Sequence, residues 1–189
     1  MNAISIDAFL KSLLISGLVL VVALASGCST LSKGECLEAD WYEIGAKDGA
    51  SGKPRSRLND HRESCAEYDV FPDREQYYMG REEGIQIYCT PANGYKQGYE
   101  GNFYSGTCPV DLESAFLSGY NIGREIYDEK RKAYENERKI DQLEKELAKK
   151  DTTQQRRKEL REEIRKLDQK NRDLREEINY LEKRARKKF

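Results

Sequence analysis

The sequence predicts an all-α protein in two parts: a small disulfide-stapled helical head, then a long antiparallel helical hairpin. Three observations point there. Glycine pairs four residues apart recur through the first part, flanked by aromatic residues and preceded by helix-capping residues. After Gly123 there is no glycine, proline or cysteine, and apolar residues recur at heptad spacing. Charge is also segregated: residues 28–128 carry net −8 and residues 129–189 net +7. Of the 189 residues, 35% are charged and 38% apolar, too few apolar positions for one large core. A net charge of −1 argues against a uniformly basic nucleic-acid binder.

Residues 1–27 read as an export signal rather than as part of the fold. Leu13 to Ala25 is an uncharged run of 13 residues behind Lys11. A bilayer-spanning helix needs about 20 apolar residues, whereas a run of about 7–15 behind a basic residue fits a signal-peptide core. Leu24-Ala25-Ser26-Gly27-Cys28 follows. This segment resembles the lipobox of bacterial lipoproteins, with Ala25 where leucine is usual. The resemblance implies cleavage before Cys28, acylation of its thiol with diacylglycerol, and acylation of its new amine by a fatty chain such as palmitate. Several acyl chains, at about 0.8 kcal/mol per buried CH₂, anchor a protein effectively permanently. Ser29 follows in place of the aspartate that resembles an inner-membrane retention signal. The expectation is therefore a lipid anchor in the outer membrane with the chain facing the periplasm. Residues 28–35 are read as a lipidated linker.

Cys36, Cys65, Cys89 and Cys108 remain after processing, an even count that suits two disulfides in an exported chain. Three pairings are open. Cys36–Cys65 and Cys89–Cys108 is favoured because short sequential loops close most readily. With no Cys-x-x-Cys pair and His61 the sole histidine, no metal site and no cofactor are expected.

The head, residues 36–128, is built on internal repetition. Gly-x-x-x-Gly occurs at Gly45/Gly49, Gly80/Gly84, Gly94/Gly98 and Gly119/Gly123. Tyr42, Tyr77 and Phe116 stand three residues before the first glycine of their pairs, and Tyr88 and Tyr127 four after the second. Asp40 and Asp73 have capping-box spacing to Glu43 and Gln76, and Thr90-Pro91 and Pro109-Val110-Asp111 mark further helix starts. Each mid-helix glycine costs about 1 kcal/mol against alanine. The expected compensation is close helix packing, since glycines four apart share one helix face. The competing reading makes Trp41, Tyr77, Tyr88 and Tyr104 a stacking surface for a glycan of the cell wall or of lipopolysaccharide. His61 reads as a lone imidazole in a polar loop, and no nucleophile-elbow or phosphate-loop pattern occurs, so no catalytic residues are expected.

The Asp40-Trp41 start, Gly45, Asp48-Gly49-x-x-Gly52, Tyr77-x-x-Gly80-Arg81-x-x-Gly84-x-x-x-Tyr88-Cys89, Asn93-Gly94-x-x-x-Gly98-x-x-Gly101 and Tyr104-x-x-x-Cys108-Pro109 resemble DUF2799. That is a family of Gram-negative envelope lipoproteins with no assigned function. The likeness covers roughly residues 35–128 and implies an envelope location without catalytic residues to carry over.

In residues 129–189, two heptad registers flank Asp151-Thr152-Thr153-Gln154-Gln155, a weak helix former with good caps. Folding back near residues 150–154 brings Leu147 to Leu160, Leu143 to Ile164, Ile140 to Leu167, Ala133 to Leu174 and Ile126 to Leu181. Asn136 then faces Asn171, and Glu129 facing Ile178 is the one poor layer. A monomeric hairpin is favoured. The alternative is a parallel dimer, because Ile164 at a, Leu167 at d and Asn171 at a suit a two-stranded zipper. The expected role is non-catalytic: a structural or interaction module of the envelope, with an envelope protein or peptidoglycan as partner.

Overall fold

The computed structural model describes residues 30–189, which form seven helices and no strand. The signal segment 1–27 and Cys28 lie outside the described residues. In order, the helices are α1 (Lys33–Leu37), α2 (Trp41–Ala50), α3 (Arg57–Ala66), α4 (Arg74–Tyr88), α5 (Pro91–Tyr99), α6 (Val110–Leu147) and α7 (Gln154–Lys188).

Their starts follow capping chemistry. The Asp40 carboxylate accepts from the amides of Tyr42 and Glu43, and that of Asp73 from Glu75 and Gln76. The Thr90 hydroxyl accepts from the Asn93 amide, with Pro91 in the first turn of α5. Such caps contribute about 1 kcal/mol each. Two helices were not expected. Ser32 and Glu35 close a reciprocal capping box around α1, inside the stretch read as linker. Residues 59–63, read as a polar loop, lie within α3, whose inward face is Leu58, His61 and Cys65 at 4%, 2% and 0% exposure.

The head consists of two glycine-seamed helix pairs, α2 with α4 and α5 with α6. A methyl group on Gly45 would lie 2.0 Å from the Tyr77 carbonyl oxygen, and one on Gly80 1.9 Å from that of Tyr42. The second pair has the same geometry, with Gly94 at 2.1 Å from the Phe116 oxygen and Gly119 at 1.9 Å from that of Pro91. No side chain fits at such distances, so the expected close packing is present and the helices cross backbone to backbone.

The two pairs match in further detail. A glycine with positive φ, Gly52 or Gly101, follows the first helix of each pair and lies under the ring of Tyr88 or Tyr127. The next carbonyl is then capped from the second helix. Arg81 Nη2 donates to Lys53 O at 2.9 Å, and the Tyr120 hydroxyl to Asn102 O at 2.8 Å. The head is thus a structural duplication, in which the first copy carries α3 in its connector and the second a short loop.

The disulfides join Cys36 to Cys65, tying α1 to α3, and Cys89 to Cys108, tying the end of α4 to the start of α6. Each adds on the order of 3 kcal/mol. Around them lie two cores, one centred on Trp41, Leu58 and Tyr77, the other on Ile85 and Phe116.

Helix α6 runs without interruption through the expected head–arm boundary after residue 128, so the arm is a direct extension of a head helix. It folds back on α7 within one chain. Asn136 Nδ2 donates to Asn171 Oδ1 at 2.8 Å, in the layer where the heptads place them. The turn is closed by Arg157, whose guanidinium donates to the carbonyls of Leu147, Lys149 and Thr152 at 2.7, 2.7 and 3.1 Å. Arg156 adds a two-point contact to Glu146. In the layer expected to be poor, Glu129 accepts from Lys132 on its own helix and Ile178 is still buried. At the head end, Leu181 and Ala185 pack on Ile122, Ile126 and Tyr95.

Candidate functional site

The first helix pair contains a polar chain that its duplicate lacks. The Tyr77 hydroxyl donates to Asp48 Oδ2 at 2.7 Å, and His61 Nε2 lies 2.8 Å from the same oxygen. His61 Nδ1 lies 2.6 Å from Thr30 Oγ1. In the neutral ring, the neighbours assign the tautomer: Nε2–H donates to the carboxylate, and Nδ1 accepts from the Thr30 hydroxyl. The Thr30 amide donates to Ser64 Oγ at 2.9 Å, and the Ser64 hydroxyl donates to Asp60 O.

Each side chain is placed by its own element. Asp48 sits in the last turn of α2, one residue before Gly49 of the seam. The Tyr77 ring reaches across that seam from α4 and is fully buried, with His61 edge-on at 6.0 Å. His61 projects from the inner face of α3. In the second pair the position of Tyr77 is held by Phe116, also fully buried. The seam therefore needs a ring there, and the hydroxyl is an addition specific to the first copy.

Electrostatics follow from burial and partners. For Asp48, desolvation favours the neutral carboxyl. The hydrogen bonds from His61 and Tyr77, with the nearby charge of Arg57, outweigh it and hold the group below the usual carboxylate range. Burial, reinforced by the bond to Asp48, pushes the Tyr77 hydroxyl far up, so it stays a donor. Beside the chain lies an open cleft of about 510 Å³, lined by residues that include Thr30, Glu35, Glu43, Lys47 and Arg57. A hydroxyl, imidazole and carboxylate in series have the order of a general-base relay. Here, however, the Thr30 amide is engaged by Ser64, and the carboxylate is shared with a buried phenol. Through these contacts the chain ties residue 30 to the head as a clamp.

Two sets of expected residues are placed differently. Trp41 and Tyr77 are buried in the first core at 9% and 0% exposure. Tyr88 is half-buried, stacked at 5.3 Å on Phe116, and Tyr104 packs on the same ring at 4.7 Å. The Tyr104 hydroxyl is used as well, accepting from the Cys108 amide and donating to Glu113. Divided between two cores, these four rings share no open face and do not form the stacking surface of the competing reading. The cause is the glycine seam, which brings the helices close enough for flanking rings to close over it. From Thr30 onward, residues read as linker make contacts with the head: Thr30 bonds to Ser64 and His61, and Ser32 caps α1.

Sequence reasoning missed Thr30, Asp48 and His61 as a group. Asp60, the neighbour in sequence, pointed to a solvated loop, whereas the partners of His61 lie 13 and 31 residues away. The one available signal was the duplication, in which Tyr77 stands against Phe116. Among the described residues, no cluster of three or more His, Cys, Asp or Glu is placed to hold a metal ion.

The fold and the clamp define an all-α, disulfide-stapled head made of two glycine-seamed helix pairs. Residues 40–125, the greater part of the head, match the family model DUF2799, a protein of unknown function. No curated protein and no solved structure matches the chain.

Proposed function

We propose that the chain is an outer-membrane lipoprotein, anchored through acylated Cys28, with head and arm in the periplasm. In this reading its role is non-catalytic, as a structural or interaction module of the envelope. The observation that carries it is the lipobox-like Leu24–Cys28, followed directly by a head whose four cysteines are all paired. Disulfides of this kind suit an oxidising compartment. Among the described residues no helix is long and apolar enough to cross a membrane. The arm offers two long charged faces for a partner, an envelope protein or peptidoglycan.

The test is Cys28→Ser. The variant should accumulate as an unprocessed precursor and lose incorporation of labelled palmitate in cells. Unchanged labelling would overturn the reading. Crosslinking in intact cells, followed by identification of the captured species, then separates a protein partner from peptidoglycan.

A further inference from the structure

We infer that the head has no free tether: the clamp at Thr30 holds the face formed by α1 and α3 directly against the lipid headgroups. This inference rests on the acylation of Cys28 proposed above.

The argument is one of reach. The chain is fixed from residue 30 onward by several independent contacts. The Thr30 amide is bonded to Ser64 and its hydroxyl to His61, which is 2% exposed and itself bonded to Asp48. Leu31 packs against the first core. Ser32 is held by the capping box with Glu35, and Cys36 is joined to Cys65. Only Ser29 separates Thr30 from Cys28. Two residues span at most about 7 Å even when fully extended. The polar layer on each side of a bilayer is roughly 5–8 Å deep. An acylated cysteine lies at the inner edge of that layer, so Thr30 lies within it or at its surface.

A domain of this size has a radius of gyration of about 13 Å, larger than the tether is long. It cannot tumble freely above the bilayer, and the surface around Thr30 is the one that faces it. That surface is α1 and the part of α3 around Ser64, joined to each other by Cys36–Cys65. All of α1 lies within about 15 Å of Thr30, from two linking residues and a five-residue helix at 1.5 Å rise per residue. Two of its residues suit the interface, alongside the exposed carboxylates of Glu35 and, at its C-cap, Glu38. Lys33 and Leu37, one helical turn apart, share a face, and Leu37 is 58% exposed. A lysine can meet lipid phosphates and an exposed leucine the upper acyl region. The acyl chains supply the affinity, and the clamp supplies the orientation, so a head of net −8 is held at a lipid surface it would not seek by charge.

The experiment uses the full lipidated chain in vesicles of phosphatidylethanolamine and phosphatidylglycerol carrying a nitroxide on the headgroup. A Leu37→Trp reporter is read against the unmodified chain, so that the emission of Trp41 is subtracted. The reporter should be strongly quenched. The same reporter in a chain with a flexible glycine-serine spacer between Ser29 and Thr30 should be quenched several-fold less. Equal quenching with and without the spacer, or none in either, overturns the inference. Acyl labelling of the same samples separates the failures. Labelled but unquenched protein removes only the close-held head, whereas unlabelled protein removes the anchor reading as well.

Discussion

Gly80 and Gly34 show what one methyl group does in two settings. At Gly80 a Cβ would lie 1.9 Å from a backbone oxygen, with no flexible atom to give way. Gly80→Ala should force α2 and α4 apart and cost about 3 kcal/mol, the upper end for overpacking. At Gly34 a methyl would meet nothing within 4 Å, so Gly34→Ala should gain up to about 1 kcal/mol from helix propensity alone. Chemical denaturation of the two variants reads both signs. Asp48 belongs to the same scale. Its folded carboxyl is held below the usual range, so its contribution is complete at neutral pH and is lost as pH falls through the lowered value. The protein should therefore lose stability on acidification below about pH 4. Asp48→Asn should lose about 1–3 kcal/mol at neutral pH and show a flatter acid limb. A stability–pH profile of the two proteins checks it.

Among the elements, the hairpin has the sharpest internal test. Asn171 is 2% exposed and its oxygen is satisfied by Asn136 alone among side chains of the facing helix. Asn136→Leu should strand a buried amide and cost about 1–3 kcal/mol. Replacing both asparagines with leucine should recover most of that loss, because an apolar layer is itself stable. The double variant should also lose a constraint on register and on strand number. Its mass in solution should rise with concentration, while the native chain stays monomeric. Sedimentation of the single, double and native chains reads both effects.

At the scale of the whole molecule, the disulfides divide the work. Cys36–Cys65 ties α1 to α3 and so completes the clamped N-terminal face. Cys89–Cys108 ties the end of α4 to the start of α6 across α5, beside Phe116. Removing the first with Cys36→Ala and Cys65→Ala should lower stability by about 3 kcal/mol and raise amide exchange in residues 30–37. Removing the second should loosen α4 against α6 and leave the exchange of residues 30–37 near native. Hydrogen exchange resolved along the chain distinguishes the two. The continuity of α6 means that arm and head share one helix, with Ile122 and Ile126 packed against the end of α7.

The sequence by itself determined the helical class, the caps at Asp40, Asp73 and Thr90, the close approach at the glycine pairs, and the layers of the hairpin. These are local or periodic properties, and a cap or a heptad is complete within a few residues. The Asn136–Asn171 layer was legible for the same reason, since a turn fixes which positions meet. Tertiary structure alone decided the rest. Whether Tyr77 faces solvent or a seam depends on how near α4 comes to α2. Helix α3 has few apolar residues and becomes a helix because Leu58, His61 and Cys65 find a core to enter. The clamp depends on Thr30, Asp48, His61 and Tyr77, four residues on separate segments. Their hydrogen bonds exist only once the glycine seam has set the distance between backbones, which no spacing along the chain encodes.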